Sequence, residues 1–339
     1  MEIEFDNFVK YKDIESCLVY NSTISDVKPL ISIAIPTYRR PSLLRDSIES
    51  AVNQTLISSI EILIVDNDES SEFSDQIVDI VSEFNGVSIK YYRNSENIGM
   101  FGNWNRCFEL SSSDYVVILN DDDLLHPEFA RYALENINNA SMLVTSHTQF
   151  NERSDVNFVA TECRLNSQPK KVSLGDILCK NLANGSLGVL FNRKVAIDLG
   201  GFPESAFPIS DYSFLVKNYM HGKLMVSDAN LSYYRWGSNE SMKAEVLDGF
   251  IVKGYALCNN LINESKRGVV VRKISIFLIK IIYSDTSLQY KNINDKYLPF
   301  ASIAKVTNRT ERIIVVFSTR NRFFAALSKR VLKFIWRRY

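Results

Sequence analysis

Residues 115–123 read Tyr-Val-Val-Ile-Leu-Asn-Asp-Asp-Asp. The apolar part has the length and the β-branched content of a buried strand. The run ends in three consecutive aspartates, Asp121, Asp122 and Asp123, whose like charges repel one another. A divalent cation with bound phosphate offsets such charges well, because hard cations take carboxylate and phosphate oxygens together. A strand that ends in carboxylates delivers them to the edge of an α/β sheet where ligands bind.

The same arrangement, an apolar run followed by a polar cluster, occurs twice earlier in the chain. Residues 30–36 predict a buried strand that is followed by Thr37-Tyr38-Arg39, and residues 60–65 predict one followed by Asp66-Asn67-Asp68. In one parallel sheet, the carboxyl ends of the strands lie on the same edge. The sequence therefore predicts that these three polar clusters share one ligand-binding edge.

Helical patterns separate these strands and complete an α/β alternation. A further strand is predicted at 87–93, and helices are predicted at 42–54, 72–84 and 100–110. This spacing predicts a doubly wound, mostly parallel central sheet flanked by helices. After residue 140 the alternation weakens, with strands predicted at 142–146, 186–191, 223–227 and 231–235 and a helix at 210–220. We expect three regions: an irregular N-terminal extension (1–29), an α/β domain (30–241) and a helical, basic C-terminal region (242–339).

The composition is that of a globular protein with no bulk polyanion partner. Hydrophobic residues make up 46% and charged residues 23% of 339, and the 39 basic residues balance the 39 acidic ones. The five cysteines are scattered without zinc-type spacing, which fits a reducing compartment. The acidic N-terminus is not a secretory signal, and no apolar run approaches the length of a membrane span. We therefore expect a cytoplasmic protein.

The C-terminal segment is strongly basic and rich in aromatic residues. From Arg312 to Tyr339 there are eight Lys or Arg and no acidic residue, interleaved with apolar side chains. A basic amphipathic segment of this kind fits the membrane interface. The alternative is a helix that packs on the core and keeps a solvated basic face.

Six short motifs, in this order, resemble the family 2 glycosyltransferases, whose fold is the nucleotide-sugar-binding GT-A fold. The resemblance covers about residues 31–241. The motifs are Ile33-Ala-Ile-Pro-Thr-Tyr-Arg-Arg40, Ser50-Ala-Val-Asn-Gln54, Glu61-Ile-Leu-Ile-Val-Asp-Asn-Asp68, Asn94-x-x-Asn-Ile-Gly99, Val117-Ile-Leu-Asn-Asp-Asp-Asp123 with Pro127, and Gly200-Gly-Phe-Pro203 seven residues before Ser210-Asp211. Together they imply an inverting enzyme that uses a nucleotide-diphosphate sugar.

The resemblance implies a donor-binding set on the first three polar clusters. It is carried to Pro36, Thr37, Tyr38 and Arg39 after the first strand, to Asp66 for a uracil-type base, and to Asn97 and Gly99 in a loop that closes over the nucleotide. A carboxylate that accepts from a pyrimidine N–H is chemically sensible. The alternative is that Asp66-Asn67-Asp68 is only a polar turn, and that Asn97-Ile98-Gly99 only precedes a helix.

The aspartate run matches the family's Asp-x-Asp-Asp element in either of two registers. In the first, Asn120 takes the place of the first acid, Asp122 is the direct metal ligand, and Asp121 and Asp123 support it. In the second, one residue later, Asp121 and Asp123 form the Asp-x-Asp pair. We favour the first register, with Asp122 and Asp123 as metal residues, Asp121 on the donor side, and Mg²⁺ or Mn²⁺ as the cofactor.

The resemblance also implies a catalytic base and a phosphate contact. Asp211 keeps the essential place of the family's Glu-Asp pair, although Ser210 replaces the Glu. Asp211 would deprotonate the acceptor hydroxyl; the alternative is that it only caps a helix. Arg235 keeps the Arg of the Tyr-Arg-x-His element, while Gly237 stands where the His is expected. Arg235 or Lys243 would contact the donor diphosphate.

The implied function is transfer of a sugar from a UDP- or dTDP-type donor to a lipid-linked glycan, in O-antigen or capsule synthesis at the inner membrane face. Nucleic acid is not an expected partner. Two other readings stay open: a sugar-nucleotide-binding relative that has lost catalysis, and a phosphatase that uses the Asp121-x-Asp123 pair. A sugar nucleotidyltransferase fits less well, because residues 36–41 contain no glycine for a phosphate loop.

Overall fold

The structure is a computed structural model, and it describes residues 7–24, 27–70, 72–158, 163–237, 240–319 and 322–337. Two compact units divide the chain. We call the first the sheet unit; it comprises Met1–Lys171, Ala183–Glu204 and Phe214–Gly237. We call the second the helical unit; it comprises Val172–Leu182, Ser205–Ser213 and Ser238–Tyr339. The predicted region 30–241 therefore contributes three short segments, 172–182, 205–213 and 238–241, to the helical unit.

The sheet unit is built on a mixed sheet. Its strands in the described residues are β1 (Ser16–Asn21), β2 (Ile31–Thr37), β3 (Ile60–Asp66), β4 (Ser88–Asn94), β5 (Tyr115–Ile118), β6 (Leu124–Leu125), β7 (Met142–Phe150), β8 (Lys170–Lys171), β9 (Val189–Asn192) and β10 (Leu224–Arg235). The strand order is β1-β4-β3-β2-β5-β9-β7-β10-β6, and β8 pairs with β10.

The predicted parallel sheet forms one half of this arrangement. β4, β3, β2 and β5 are parallel neighbours, and every residue of β2 and β3 is buried. Burial on both faces explains why these two strands read as continuous apolar runs. The other half is mixed, because β9 runs antiparallel to both β5 and β7. The prediction of an α/β sheet is confirmed, but the sheet is less parallel than expected, since the alternation with helices ends near residue 140.

Two stretches differ from the sequence prediction in detail. The N-terminal extension was expected to be irregular, but β1 pairs antiparallel with β4 and extends the edge of the sheet. The two short strands predicted after residue 222 are one strand, β10, which pairs in parallel with β7. Register irregularities interrupt that pairing around Asn230. A local bulge of this kind breaks the alternation of side chains, so that one strand reads as two.

The helices flank the sheet or form the second unit. In the described residues they are α1 (Pro41–Val52), α2 (Ser74–Ser82), α3 (Gly99–Leu110), α4 (Phe129–Asn136), α5 (Leu174–Cys179), α6 (Arg193–Asp198), α7 (Ser210–His221), α8 (Ala244–Glu264), α9 (Val269–Tyr290), α10 (Pro299–Val306), α11 (Arg309–Thr319) and α12 (Arg322–Ile335). The helical unit holds α5 and α8 to α12, and α7 begins in the helical unit and ends in the sheet unit.

The helical unit is organised around α9, which packs against α8, α10, α11 and α12. One face of α12 is buried: Ala325, Ser328 and Leu332 lie on it, and the Trp336 indole after the helix donates to Ser275 Oγ at 3.0 Å. The opposite face exposes Phe323, Leu327 and Phe334. Of the predicted basic tail, residues 320, 321, 338 and 339 lie outside the described residues. A search of the described helices for one long and apolar enough to span a bilayer finds none.

Candidate active site

Side chains of helix α1 bind the backbone of the loop that contains the three aspartates. We call residues 120–123 the aspartate loop. Ser47 Oγ donates to the carbonyl oxygens of Asp123 at 2.8 Å and of Asn120 at 3.2 Å. At the end of α1, the Gln54 amide donates to the His126 carbonyl at 2.9 Å and accepts from the Ala130 N–H. The motif at residues 50–54 thus acts as a brace that fixes where the aspartates emerge from the sheet.

The three aspartates face three different environments. The Asp121 side chain is 0% exposed and Asp123 is 1% exposed, whereas the Asp122 side chain is 17% exposed. The three carboxylates therefore differ in burial, and Arg40 is a partner shared by Asp121 and Asp122. Only Asp122 of the three presents its carboxylate toward solvent.

Asp121 anchors the loop that follows β2. Its carboxylate accepts from Thr37 Oγ1 at 2.7 Å, from the Tyr38 backbone and from the Arg40 guanidinium. Burial raises the pKa of Asp121 to about 6, although these donors act to lower it. Asp121 therefore anchors the donor-side loop, and its contact with the donor stays a prediction.

Both carboxylate oxygens of Asp123 accept hydrogen bonds from the protein. Its Oδ1 accepts from the Arg235 N–H and its Oδ2 accepts from Asn120 Nδ2, both at 2.9 Å. Burial raises the pKa of Asp123, and the neighbouring Asp122 charge adds to this. Because both oxygens are engaged inside the protein, the geometry favours Asp123 as a brace of the aspartate loop, and its role as a metal residue stays a prediction. The same burial disfavours the register in which Asp121 and Asp123 bind the metal.

Arg235 makes its contacts within the protein, and its predicted contact with the donor diphosphate stays a prediction. Its Nε donates to the Asp122 carbonyl at 2.9 Å, its Nη2 pairs with Asp46 at 2.7 Å, and its guanidinium lies over the Phe150 ring. These contacts engage the guanidinium with the protein, whereas the expectation was a contact with diphosphate. Arg235 thus fixes the backbone of the aspartate loop from β10.

The remaining chemistry suits a cation that shares its ligands with a phosphate. Among the residues that the structure describes, no three His, Cys, Asp or Glu side chains cluster as a metal site. Mg²⁺ commonly takes one or two carboxylates and fills its shell with substrate phosphate and water. Asp122, with its outward carboxylate, fits such a site. All three carboxylates have partners in this structure, and that of Asp122, paired with Arg40 at 3.1 Å, is the most exposed.

The loops after β2 and β3 are tied to each other. Arg39 pairs with Asp68 at 3.0 Å and its guanidinium lies 4.9 Å from the centre of the exposed Tyr38 ring. Arg39 has a φ of +56°, a conformation that costs energy for a residue with a side chain and that clusters at functional sites. Although burial acts to raise it, the bonds from Arg39 and Ser70 hold the pKa of Asp68 below its ordinary value.

Asp66 is buried at the end of β3. Its carboxylate accepts from Tyr91 OH and from the Asp68 N–H, both at 3.0 Å. Burial raises its pKa to about 6. The side chain is only 1% exposed, so a base that contacts it would have to enter the edge of the sheet deeply.

Asn67 joins the loop after β3 to the turn that opens α3. It donates to Asn97 Oδ1 at 2.8 Å and accepts from the Ile98 N–H at 3.0 Å. Asn97 Oδ1 in turn accepts from the Gly99 N–H at 2.9 Å, and Gly99 has a φ of +75°, where a side chain would be strained. The predicted residues Asn97 and Gly99 are therefore part of one network with the second polar cluster.

Asp211 lies in the helical unit, in the first turn of α7. Its Oδ2 accepts from Asn181 Nδ2 at 2.8 Å, and its Oδ1 accepts from the Tyr212 N–H at 2.7 Å. The Gly200–Pro203 motif, which precedes Asp211 in the sequence, belongs to the sheet unit. There the Asn105 side chain makes two hydrogen bonds to the backbone of Phe202. A Cβ at Gly201 would lie 2.3 Å from Asn105 Oδ1, which explains that glycine.

Sequence reasoning missed four residues that build the site: Arg40, Asp46, Ser47 and Gln54. Arg40 was part of the first quoted motif, and its position at the start of α1, on the ligand edge, was an available signal. Gln54, in the second quoted motif, lies just after α1, whereas Asp46 and Ser47 lie on α1. Nothing in a helical pattern shows that these side chains will contact residues 70 or more positions away.

Comparison with known proteins supports the residue pattern. The profile described as "Glycosyl transferase family 2" matches residues 32–198. An uncharacterized glycosyltransferase of Haemophilus influenzae is 25% identical over 189 residues, 56% of this chain and 61% of the relative. Abequosyltransferase RfbV of Salmonella typhimurium is 36% identical over 97 residues, 28% of this chain and 29% of the relative. A Campylobacter jejuni protein named GalNAc(5)-diNAcBac-PP-undecaprenol beta-1,3-glucosyltransferase is 31% identical over 98 residues, 29% of this chain and 31% of the relative. The chain thus spans less than two thirds of each of these three relatives.

Two solved structures share the fold. TarS 1–349 of S. aureus, in complex with UDP-GlcNAc, has a TM-score of 0.57 at 16% identity and covers 86% of this chain and 91% of its own. The mannosyltransferase PcManGT of Pyrobaculum calidifontis, in complex with GDP-Man and Mn2+, has a TM-score of 0.55 at 13% identity and covers 93% of this chain and 89% of its own. At these identities the likeness shows the fold alone, and it confirms the predicted GT-A-like fold. Residues 32–198 are a glycosyl transferase family 2 domain, which indicates that the protein is a glycosyltransferase.

Proposed function

We propose that this enzyme transfers a sugar, with inversion, from a nucleotide-diphosphate sugar to a hydroxyl of a lipid-linked glycan in bacterial surface polysaccharide synthesis. One observation carries the proposal. The aspartate loop emerges at the carboxyl edge of four parallel strands, and it turns one carboxylate, that of Asp122, outward while two anchor the surrounding loops. This is the edge at which α/β sheets bind nucleotides.

The donor would lie along the three tied loops. Tyr38 offers an exposed ring, Arg39 is held over it by Asp68, and the Asn97–Gly99 turn is braced by Asn67. Asp66 is the proposed contact to the base, which we expect to be of the UDP or dTDP type. The S. aureus protein of the same fold was solved with UDP-GlcNAc, which supports a nucleotide sugar as the ligand class.

The proposed cofactor is Mg²⁺ or Mn²⁺, held by Asp122 and by oxygens of the donor diphosphate. Such an ion acts as a Lewis acid that stabilises the charge on the leaving diphosphate. Asp123 and Arg235 would keep the Asp122 carboxylate in place through the backbone of the aspartate loop. The Pyrobaculum enzyme of the same fold was solved with Mn2+, which supports the metal class.

Asp211 is the proposed general base. Its carboxylate is held by Asn181 and by the first turn of α7. It would take the proton of the acceptor hydroxyl as that oxygen attacks the anomeric carbon. The new glycosidic bond forms as the bond to the diphosphate breaks, and the configuration inverts.

The proposals of a lipid-linked acceptor and of a membrane contact are supported by the exposed face of α12 and by the name of one relative. The exposed face of α12 carries Phe323, Leu327 and Phe334, with Arg330 and Arg337 also exposed. Aromatic and basic side chains together favour an anionic membrane interface. The Campylobacter relative's name specifies an undecaprenol-linked glycan, which supports a lipid-linked acceptor. We propose peripheral attachment at the inner membrane face.

A thermal-shift screen of nucleotide sugars with Mn²⁺ tests the donor site. A ligand at about 100 times its Kd stabilises the folded state by about 2.7 kcal/mol, so the matching donor should raise the melting temperature by several degrees. Asp122→Asn should abolish the metal-dependent part of that shift. Asp114→Asn is the matched control, because Asp114 is an exposed carboxylate that immediately precedes β5. If no nucleotide sugar stabilises the wild-type protein, the proposed function is wrong.

A further inference from the structure

Arg40 connects two of the three aspartates through a single side chain. Its Nη2 pairs with Asp121 Oδ1, and its Nη1 lies 3.1 Å from Asp122 Oδ2. The Arg40 side chain is 48% exposed and stands at the start of α1. One guanidinium therefore supplies positive charge to the carboxylate proposed for the cation and to the carboxylate that anchors the donor-side loop.

A guanidinium and a divalent cation compete for the same Asp122 carboxylate. Positive charges a few ångströms apart repel, and Asp122 would otherwise have to satisfy both. Asp121 would not be left without partners if Arg40 moved, because Thr37 Oγ1 and the Tyr38 N–H would still donate to it. The half-exposed Arg40 side chain also has solvent into which it can rotate.

Resting on the proposed function, we propose that Arg40 is the counter-charge of the aspartate loop when no donor is bound, and that it transfers to the donor diphosphate when a cation binds Asp122. A guanidinium is well suited to this exchange, because its planar fork matches carboxylate and phosphate oxygens alike. Arg40 is then a positioning residue that couples the binding of the cation to the binding of the donor.

Such coupling has a measurable consequence. A cation that arrives alone must displace Arg40 from Asp122 with no new partner for the guanidinium. A cation that arrives with a diphosphate gives Arg40 that partner. Mn²⁺ should therefore bind more tightly with a nucleoside diphosphate present, and by reciprocity the nucleotide should bind more tightly with Mn²⁺ present.

The test is a titration of Mn²⁺, followed by the loss of its free electron-paramagnetic-resonance signal, with and without UDP, after subtraction of the Mn²⁺ that UDP binds in the absence of protein. The proteins are wild type, Arg40→Gln, Arg40→Lys and Arg45→Gln. Arg45 is the matched control, because it lies on the same helix, is 46% exposed and pairs with a carboxylate, Glu83. We expect Arg40→Gln to bind Mn²⁺ alone at least about fivefold more tightly than wild type. UDP should enhance its Mn²⁺ binding less than it does in wild type, because only the diphosphate oxygens that bind the ion then couple the two ligands.

Arg40→Lys should be intermediate, because an ammonium keeps the charge but cannot bridge two carboxylates in the same way. Arg45→Gln should match the wild type in both titrations. A second readout is stability: without metal, Arg40→Gln should melt lower than wild type, and Mn²⁺ should raise its melting temperature by more.

Three outcomes would overturn the inference. If wild type binds Mn²⁺ and UDP but Arg40→Gln binds Mn²⁺ alone no more tightly, Arg40 does not compete with the cation, and the proposed function stands. If Arg45→Gln shows the same gain as Arg40→Gln, the effect is general surface charge. If wild type binds neither Mn²⁺ nor any nucleotide sugar, the inference fails together with the proposed function.

Discussion

The Thr37 hydroxyl donates to Asp121 Oδ2 at 2.7 Å, and this bond joins the last residue of β2 to the loop that follows the neighbouring parallel strand β5. The two residues are 84 positions apart in the chain. The bond links the loop proposed to hold the nucleotide to the loop proposed to hold the cation. A change at either end should therefore affect both stability and donor binding.

Thr37→Val tests this link. The valine leaves the fully buried Asp121 carboxylate with one donor fewer, and a hydrogen bond to a charged group contributes about 1.5–3 kcal/mol. We expect a loss of that size in the free energy of unfolding, measured by urea titration, together with weaker nucleotide binding. Thr145→Val is the control, because that buried hydroxyl donates to a neutral carbonyl, of Gly188, and should cost less. Equal losses in the two variants would contradict the prediction.

Asp66 should make the stability depend on pH in an unusual direction. Its pKa is raised by burial from 3.8 to about 6, so the folded protein keeps a proton that the unfolded chain has already released. Stability should therefore fall as the pH rises from about 4 to about 6. The full shift corresponds to about 3 kcal/mol.

The measurement is the difference in unfolding free energy between wild type and Asp66→Asn from about pH 4 to about pH 7. As the pH rises, the wild type should lose stability relative to Asp66→Asn. Asp68→Asn is the opposite control, because the pKa of Asp68 is lowered and its contribution should disappear as the pH falls. A pH-independent difference for Asp66→Asn would show that Asp66 is not desolvated in solution.

Arg235→Lys should loosen the aspartate loop. Lysine cannot reach the Asp122 carbonyl and Asp46 together, so the outward carboxylate would lose its support. We expect binding of UDP with Mn²⁺ to weaken about tenfold, equivalent to about 1.4 kcal/mol, as measured by calorimetry. Arg193→Lys is the control, since Arg193 likewise donates to backbone carbonyls, those of Phe108 and Glu109. If both variants bind the nucleotide as tightly as wild type does, Arg235 does not support the loop.

Asp211→Asn should separate binding from catalysis. The asparagine keeps the shape of the side chain but cannot take a proton, and a positioned base contributes about 10²- to 10⁴-fold to a rate. We expect unchanged donor binding and a loss of transfer in that range, measured as release of nucleoside diphosphate in the presence of acceptor. Asp285→Asn is the control, because Asp285 is another buried helical carboxylate, bonded to Gln289. Full transfer by Asp211→Asn would remove the base assignment.

Phe334→Ser should weaken attachment to membranes without unfolding the protein. The Phe334 side chain is 82% exposed, whereas Leu332 and Trp336 beside it are buried and hold α12 in place. In co-sedimentation with vesicles that contain anionic lipid, we expect the bound fraction to fall several-fold. Phe300→Ser is the control, because Phe300 is 59% exposed on a different helix. Equal binding by wild type and both variants would refute the α12 attachment.

Some features of this protein follow from the sequence alone. The largely apolar runs at 30–36 and 60–65 predict β2 and β3, because strands buried on both faces have no polar side to alternate with. The alternation with helices predicts their parallel pairing, and parallel pairing places the polar clusters that follow them on one edge. The fold and the edge of the site were thus determined locally, residue by residue along the chain.

The role of each aspartate was decided only by tertiary structure. Asp121, Asp122 and Asp123 are identical and adjacent, so no local pattern can distinguish them. Their separation depends on Thr37, 84 residues away, and on Arg235, 112 residues from Asp123. Burial against these distant partners turned two of the acids into braces and left Asp122 outward, because a buried carboxylate must find donors wherever the fold brings them.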